Sequence, residues 1–222
     1  VRTVFIAGAH TDIGKTHVAC ALIRAARARG LAVDALKPLV SGFDPGDWAA
    51  SDPGRLLAAL GRAPTEDALA ELSPWRFRAP LAPPMAARLE GRAVEFEAVV
   101  DACRRTIAAA GSDLLLIEGV GGVMSPISER ATCLDLIAAL KIPAILVGGA
   151  YLGAISHTLT AADCLRGRGV ELGAAVVSQD ARPDAPDFAE TVATTSRFAG
   201  LPAIAASRQD TAWAETLLDA IL

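Results

Sequence analysis

The chain has 222 residues, 52% of them apolar, with 21 lysines and arginines against 25 acids and a formal charge of −4. That composition supports one sizeable buried core and leaves no basic footprint for a nucleic acid. No apolar run reaches the roughly 20 residues of a membrane span, and no charged leader precedes the first one, so no membrane association is expected.

Thr3–Ala7 reads as the first strand. It enters a loop from Gly8 to Thr16 that runs into a helix over Lys15–Arg29, with Val18, Leu22, Ile23 and Ala26 on one stripe and Gly30 as the stop. Ala32–Leu36 is the second strand and ends in Lys37-Pro38-Leu39-Val40-Ser41-Gly42. Ser51-Asp52-Pro53 combines a capping side chain with a proline in the first turn, which predicts a helix to about Leu60. Proline-rich 79–84 is a loop before a short helix, Met85–Leu89. Phe96–Ala110 has helical period and meets Gly111, a residue suited to a left-handed cap. Leu114–Ile117, Ala144–Val147 and Ala174–Val177 are further strands, with a weaker one at Ala203–Ala205. Their unbroken apolarity predicts burial on both faces. Strand-then-helix alternation predicts a parallel sheet with crossovers. The expectation is an α/β fold of three layers, a mostly parallel central sheet flanked by helices, in a single domain over 1–222. The cysteines Cys20, Cys103, Cys133 and Cys164 lie far apart, without zinc-site or disulfide spacing, which fits a reducing cytoplasm.

The loop from Gly8 to Thr16 stands between a strand and a helix, the setting in which a glycine-rich loop binds phosphate. Its backbone N–H groups, from Asp12, Ile13 and Gly14 to His17, and the positive end of the helix dipole would surround phosphate oxygens. Lys15 would neutralise the β and γ phosphates, and the Thr16 hydroxyl would serve Mg²⁺, which prefers oxygen ligands. The loop resembles that of the P-loop nucleotide-binding proteins, one residue looser because Ala9 takes the usual first glycine position and Gly8 lies just before it. Lys37 and Ser41 at the end of strand two, Asp52 at a helix start and Glu118-Gly119-Val120-Gly121-Gly122 after the strand at Leu114 fall on the carboxyl edge of the sheet, where open α/β folds bind ligands. Carboxylates there can hold Mg²⁺. A second lysine is more than ATP alone requires and points to another anion that develops charge during reaction.

These runs resemble the dethiobiotin synthetase family: the phosphate loop, Lys37-Pro-x-x-Ser41-Gly42, Ser51-Asp52 and Glu118-Gly-x-Gly-Gly122. The proline-bearing stretch from Ala79 to Arg88 and the turn from Val147 to His157 match as well. The resemblance implies an enzyme of biotin biosynthesis in which 7,8-diaminononanoate and CO₂ form a carbamate. ATP phosphorylates that carbamate to a carbamic-phosphoric anhydride, and the second amine closes the ring with release of phosphate. By the same resemblance Lys37 and Lys15 are the catalytic cations, and Thr16, Asp52 and Glu118 hold Mg²⁺. The nucleotide is expected to be bound by Asp12, Ile13, Gly14, Lys15, Thr16, His17, Asp52, Glu118, Gly119, Val120, Gly121, Ser178 and Gln179. Thr11, Lys37 and Ser41 bind the diamine or its carbamate. The substrate's distant carboxylate is taken by a helix amino terminus, Gly153-Ala154-Ile155-Ser156, from the partner in a homodimer with shared active sites.

Gln179 stands where some members carry an asparagine that reads the adenine, and Pro202–Ser207 lacks a Gly-Glu-Ile-Pro-like run, so base preference stays open between ATP and a relaxed or CTP-tolerant site. The alternative from another class is a partitioning-type P-loop switch ATPase. Such proteins carry an additional loop lysine where this chain has His10, and these 222 residues hold no basic amphipathic tail. Cobyrinate-type amidases share the loop but need a glutaminase domain that this length does not accommodate. His10, His17 and His157 are scattered rather than clustered as metal ligands, with His10 read as solvated. Trp48, Trp75 and Trp213 read as packing anchors.

Overall fold

The computed structural model describes residues 1–222. Six parallel strands form the central sheet: β1 (Arg2–Gly8), β2 (Val33–Leu36), β5 (Leu114–Glu118), β6 (Ala144–Gly149), β7 (Leu172–Ser178) and β8 (Ala203–Ala206). Their spatial order is β2-β5-β1-β6-β7-β8. The sheet is parallel at every pairing.

Alternation along each strand explains the unbroken apolar runs. Val4 and Ile6 of β1, Leu114 and Leu116 of β5, and Ile145 and Val147 of β6 face one apolar cluster. Phe5 and Ala7, Leu115 and Ile117, and Ala144 and Leu146 face the other. Because successive side chains point to opposite faces, a strand covered on both sides must be apolar at every position. The first cluster takes Val18, Leu22, Ile23 and Ala26 of α1 (Lys15–Ala28), Leu56 and Leu57 of α2 (Asp52–Leu60), Leu69 and Leu72 of α3 (Glu66–Leu72), and Trp213 and Leu217 of α9 (Trp213–Ile221). The second takes Val99 and Val100 of α5 (Phe96–Ala109), Leu134 and Ile137 of α6 (Cys133–Leu140), and Ala161 and Leu165 of α7 (Ala154–Gly167). Helix α8 (Phe188–Ala199) lies between β7 and β8 in the chain.

Local signals account for the helix ends nearest the site. Ser51 caps α2, accepting from the Gly54 N–H at 3.3 Å, and Pro53 sits in the first turn, where a missing N–H costs nothing. Gly30 is left-handed at φ 79° after α1 and closes it with N–H bonds to Arg27 and, from Leu31, to Ala26. Gly111 does not play this part. Helix α5 ends at Ala109, Ala110 turns out extended at φ −63° and ψ 122°, and Gly111 is absent from the positive-φ glycines. The chain leaves the helix there by straightening rather than by a left-handed reversal. Helix α4 (Pro83–Leu89) begins two residues before Met85, with both prolines in its first turn.

A short parallel pair that the apolar runs did not announce, β3 (Leu39–Ser41) with β4 (Trp75–Phe77), stands apart from the main sheet. Pro38 has no N–H for a ladder, so the chain leaves β2 at Lys37, whose N–H bonds to the Leu72 carbonyl at 2.8 Å instead. The buried Ser73 hydroxyl bonds the Lys37 carbonyl. Both contacts set the direction in which the Lys37 side chain departs.

Candidate active site

Strand register builds the site. Leu36 pairs with Ile117 across β2 and β5, so the next residues out, Lys37 and Glu118, emerge side by side at the carboxyl edge. Ile6 of β1 pairs with Glu118, which sets the loop after β1 beside them. The result is a compact charge cluster. Lys37 Nζ lies 2.5 Å from Glu118 Oε1 and 2.8 Å from Asp52 Oδ2. Thr16 Oγ1 donates to the same Glu118 oxygen at 2.6 Å. Lys37 is 2% exposed and Glu118 1%, so water does little to weaken these interactions.

Burial alone would depress the Lys37 pKa, but Glu118 and Asp52 outweigh it and hold the ammonium above its ordinary value. For Asp52 burial pushes upward, and Lys37 and Thr16 more than reverse it, so its pKa is lowered. Lys15 differs: burial first, then repulsion from Lys37, lowers its pKa. Its ammonium donates to the His10 carbonyl at 3.3 Å.

The loop itself is shaped by close approach. A Cβ on Gly8 would meet Lys15 Cδ at 2.9 Å and the His10 and Gly121 carbonyls at 3.0 Å. Gly14 has φ +102°, and a Cβ there would lie 2.5 Å from Ser178 Oγ. Asp12 holds a left-handed φ of 55° without being glycine, a conformation that costs energy and recurs at ligand sites.

Three hollows meet around this loop. One of about 230 Å³ is lined by Asp12–His17, Asp52, Arg55, Glu118 and Arg208. A second, about 420 Å³, brings Thr11, Lys15, Lys37, Ser41 and Asp52 together with Pro80–Pro83, Val120 and Gly121. The third, about 680 Å³, lies on the far side of the loop between His10–Ile13, Gly149–Tyr151 and Ser178–Arg182. Five buried side-chain polar atoms lack a protein partner, and three of them, on His17, Ser41 and Glu118, belong to residues lining these hollows. Buried polar groups are ordinarily satisfied, so their concentration here marks a place built for ligand atoms.

The sequence-predicted residues distribute as follows. Thr11, Lys15, Thr16, Lys37, Ser41, Asp52, Glu118, Val120 and Gly121 converge on the two smaller hollows, while Ser178 and Gln179 line the largest. Gly119 is buried, where a Cβ would meet Cys133 Sγ and Phe5 Cε1 at 2.9 Å, and lines none of them. Gly153, at φ +95°, is the N-cap of α7. It and Ala154, Ile155 and Ser156 do not reach the hollows of their own chain. His10 is exposed and stacks on His157 at 5.8 Å between centroids, beside Tyr151. Arg55 and Arg208 were not legible as site residues: Arg55 is an exposed arginine on the otherwise largely buried α2 and Arg208 one on an exposed stretch after β8, and packing alone brings them to the loop.

The family model that matches residues 2–211 is described as an AAA domain. The chain is similar to the ATP-dependent dethiobiotin synthetase of Phenylobacterium zucineum, at 54% identity over 98% of this chain and 94% of the relative. It is similar to that of Caulobacter vibrioides at 52% over 89% and 88%, and to that of Methylobacterium nodulans at 49% over 94% of each. Among solved structures, the MinC:MinD cell division complex of Aquifex aeolicus aligns at TM-score 0.57 and 10% identity, covering 97% of this chain and 86% of that one. A signal recognition particle protein of Aeropyrum pernix aligns at 0.53 and 18%, covering 99% and 46%. These structural likenesses show the P-loop fold, and the identities to the synthetases go further: the chain belongs to the dethiobiotin synthetase family.

Proposed function

We propose that this protein closes the ureido ring of dethiobiotin from 7,8-diaminononanoate, CO₂ and ATP, as one P-loop unit over residues 1–222 working in the cytoplasm. The observation that carries the reading is the Lys37 ammonium, held between Glu118 and Asp52 and lining the same hollow as Lys15 and Ser41. A switch ATPase needs a phosphate loop, but not a second buried cation opening onto a separate pocket walled by prolines.

Mg²⁺ fits the residues present. Glu118 Oε2 is buried without a partner, and the Thr16 hydroxyl and the Asp52 carboxylate add two hard oxygen donors. When bound there, the ion would neutralise charge on the phosphate oxygens of ATP.

The remaining work falls to the chain's own groups. Loop N–H groups from Asp12 to His17, together with the Lys15 ammonium, seat the triphosphate at the start of α1. Glu118 borders the seat, Val120 and Gly121 line the adjoining hollow with Gly119 buried behind them, and Ser178 and Gln179 take the base end. Thr11 and the unpartnered Ser41 hydroxyl hydrogen-bond the diamine or its carbamate. Lys37 stays charged because its acid neighbours hold its pKa up, and it steadies negative charge on the carbamate and on the transferring phosphoryl group. The second amine then displaces phosphate as the ring closes. The substrate carboxylate lies against Gly153–Ser156 of a second subunit, where a helix start, with the Ala154 N–H already bonded to the Tyr151 carbonyl, offers its other N–H groups and its dipole to an anion. That arrangement makes the working form a homodimer.

The test is direct. With Mg²⁺, ATP, bicarbonate and 7,8-diaminononanoate, the purified protein should yield dethiobiotin and phosphate in equal amounts. Phosphate release that proceeds equally well without the diamine would refute ring closure and favour the switch ATPase.

A further inference from the structure

We propose that the guanidinium of Arg208 is a phosphate-binding group for the nucleotide, placed where the base-side cavity opens onto the phosphate hollow. This rests on reading that hollow as a triphosphate seat. Arg208 follows β8 and returns to the phosphate loop, where its Nη2 donates to Ser178 Oγ at 3.1 Å and its Nε to the Gln179 carbonyl at 3.2 Å. A Cβ built on Gly14 would lie 3.2 Å from Nη2, so the guanidinium rests against the loop glycine itself. Arg208 lines both the 230 Å³ and the 680 Å³ hollows, and it is the residue from outside the loop that they share.

This cation is anchored without being neutralised. Its two side-chain hydrogen bonds go to neutral acceptors and use only part of the guanidinium's donor fork. Asp180, in the same cavity, is taken by Arg182 at 2.5 Å. Burial and then repulsion from Arg55 lower the Arg208 pKa, outweighing the opposite pull of Asp180, the acid that Arg182 already holds. An anion at the junction would satisfy the spare donors and relieve the repulsion. At the boundary between base and terminal phosphates, that anion is the phosphate next to the ribose.

The same segment changes what Gln179 can read. The Gln179 Oε1 accepts the Arg208 backbone N–H at 2.9 Å and the Ser207 hydroxyl at 3.4 Å. The amide oxygen is thereby engaged in holding residues 207 and 208 in place, which leaves the NH₂ group as the part of Gln179 that can read a base.

Calorimetric titration with Mg-ATP, Mg-CTP and adenosine, without diamine, tests this. Arg208→Met should weaken ATP and CTP by the same factor, roughly tenfold or more, as expected for one lost charge-assisted hydrogen bond, and leave adenosine unchanged. Arg208→Lys should fall between. Arg208→Gln, which can still bond Ser178, should weaken triphosphates like Arg208→Met and serves if that variant fails to fold. An ATP affinity changed by less than about twofold, or adenosine weakened as much as ATP, would overturn the assignment. Failure of the unsubstituted protein to bind any nucleotide would instead sink the triphosphate reading, and this proposal with it.

Discussion

Lys37 and Glu118 meet at 2.5 Å although 81 residues separate them in the chain. The pairing of β2 with β5 brings them together, and the Thr16 hydroxyl bonds the same Glu118 oxygen. One carboxylate thus ties the phosphate loop to the second cation, and on the proposed function that would set phosphoryl and carbamate chemistry within one hydrogen-bonded cluster.

Removing the cation should separate binding from chemistry. Lys37→Ala is expected to lower turnover by roughly 10²–10³, as for loss of one well-placed electrostatic donor, with the KM for ATP little changed because Lys15 and the loop remain. Steady-state kinetics decide it; a raised KM with unchanged turnover would assign Lys37 to ground-state binding.

The same pair sets a stability prediction. Lys37→Met leaves Glu118, 1% exposed, without its ammonium, and breaking a buried pair from one side costs about 3–5 kcal/mol. Adding Glu118→Gln should recover much of that loss. Urea unfolding of the two single variants and the double variant measures it; costs that add within about 0.5 kcal/mol would mean that the two residues do not couple.

Gly14→Ala should abolish nucleotide binding while the protein stays folded. An alanine at φ +102° is strained, and its methyl group would press on Ser178 Oγ at 2.5 Å, displacing the loop where phosphate sits. Strain of this kind is worth about 1–3 kcal/mol, which a fold can absorb. Retained ATP affinity in a folded Gly14→Ala protein would contradict the loop's assignment.

Lys15 gives the pH dependence its alkaline side. Burial and Lys37 lower its pKa from 10.5, so it loses its proton as pH rises through a value below 10.5, whereas Lys37, shifted upward from 10.5, is still charged there. In the free enzyme kcat/KM for ATP should therefore fall along a limb with an apparent pKa under 10.5. Stability runs by the same logic. The charged form of Lys15 opposes folding below its unfolded value, and that opposition fades as pH rises through the shifted range. The lowered Asp52 pKa contributes stability above the ordinary carboxylate value, and this is lost as pH falls. An alkaline limb at or above 10.5 would rule out Lys15 as its origin.

The shared-site reading predicts complementation. A Ser156→Glu variant, which puts a like charge at the α7 amino terminus, should raise the KM for the diamine acid. Mixed with Lys37→Ala protein after subunit exchange, it should give activity above that of either variant alone, because one site of the heterodimer is intact. No gain on mixing would argue that each chain completes its own site.

The sequence by itself determined the layered architecture, because a strand buried on both faces must be apolar at successive positions and a helix on one stripe, and such periods are written locally at β1, β5, β6 and α1. It also determined the phosphate loop and the Ser51 cap, since both depend on residues within a turn of one another. Lys37, Ser41, Asp52 and Glu118 were legible as an edge of the sheet, but only as separate strand and helix ends. The tertiary structure decided that Lys37 and Glu118 are neighbours, because the strand order β2-β5-β1 belongs to no local pattern. It decided the β3–β4 pair, the straight exit of α5 before Gly111, and the return of Arg208 to Gly14 across the far edge of the sheet. Contacts between residues distant in the chain depend on how whole elements pack, and no window of sequence contains that information.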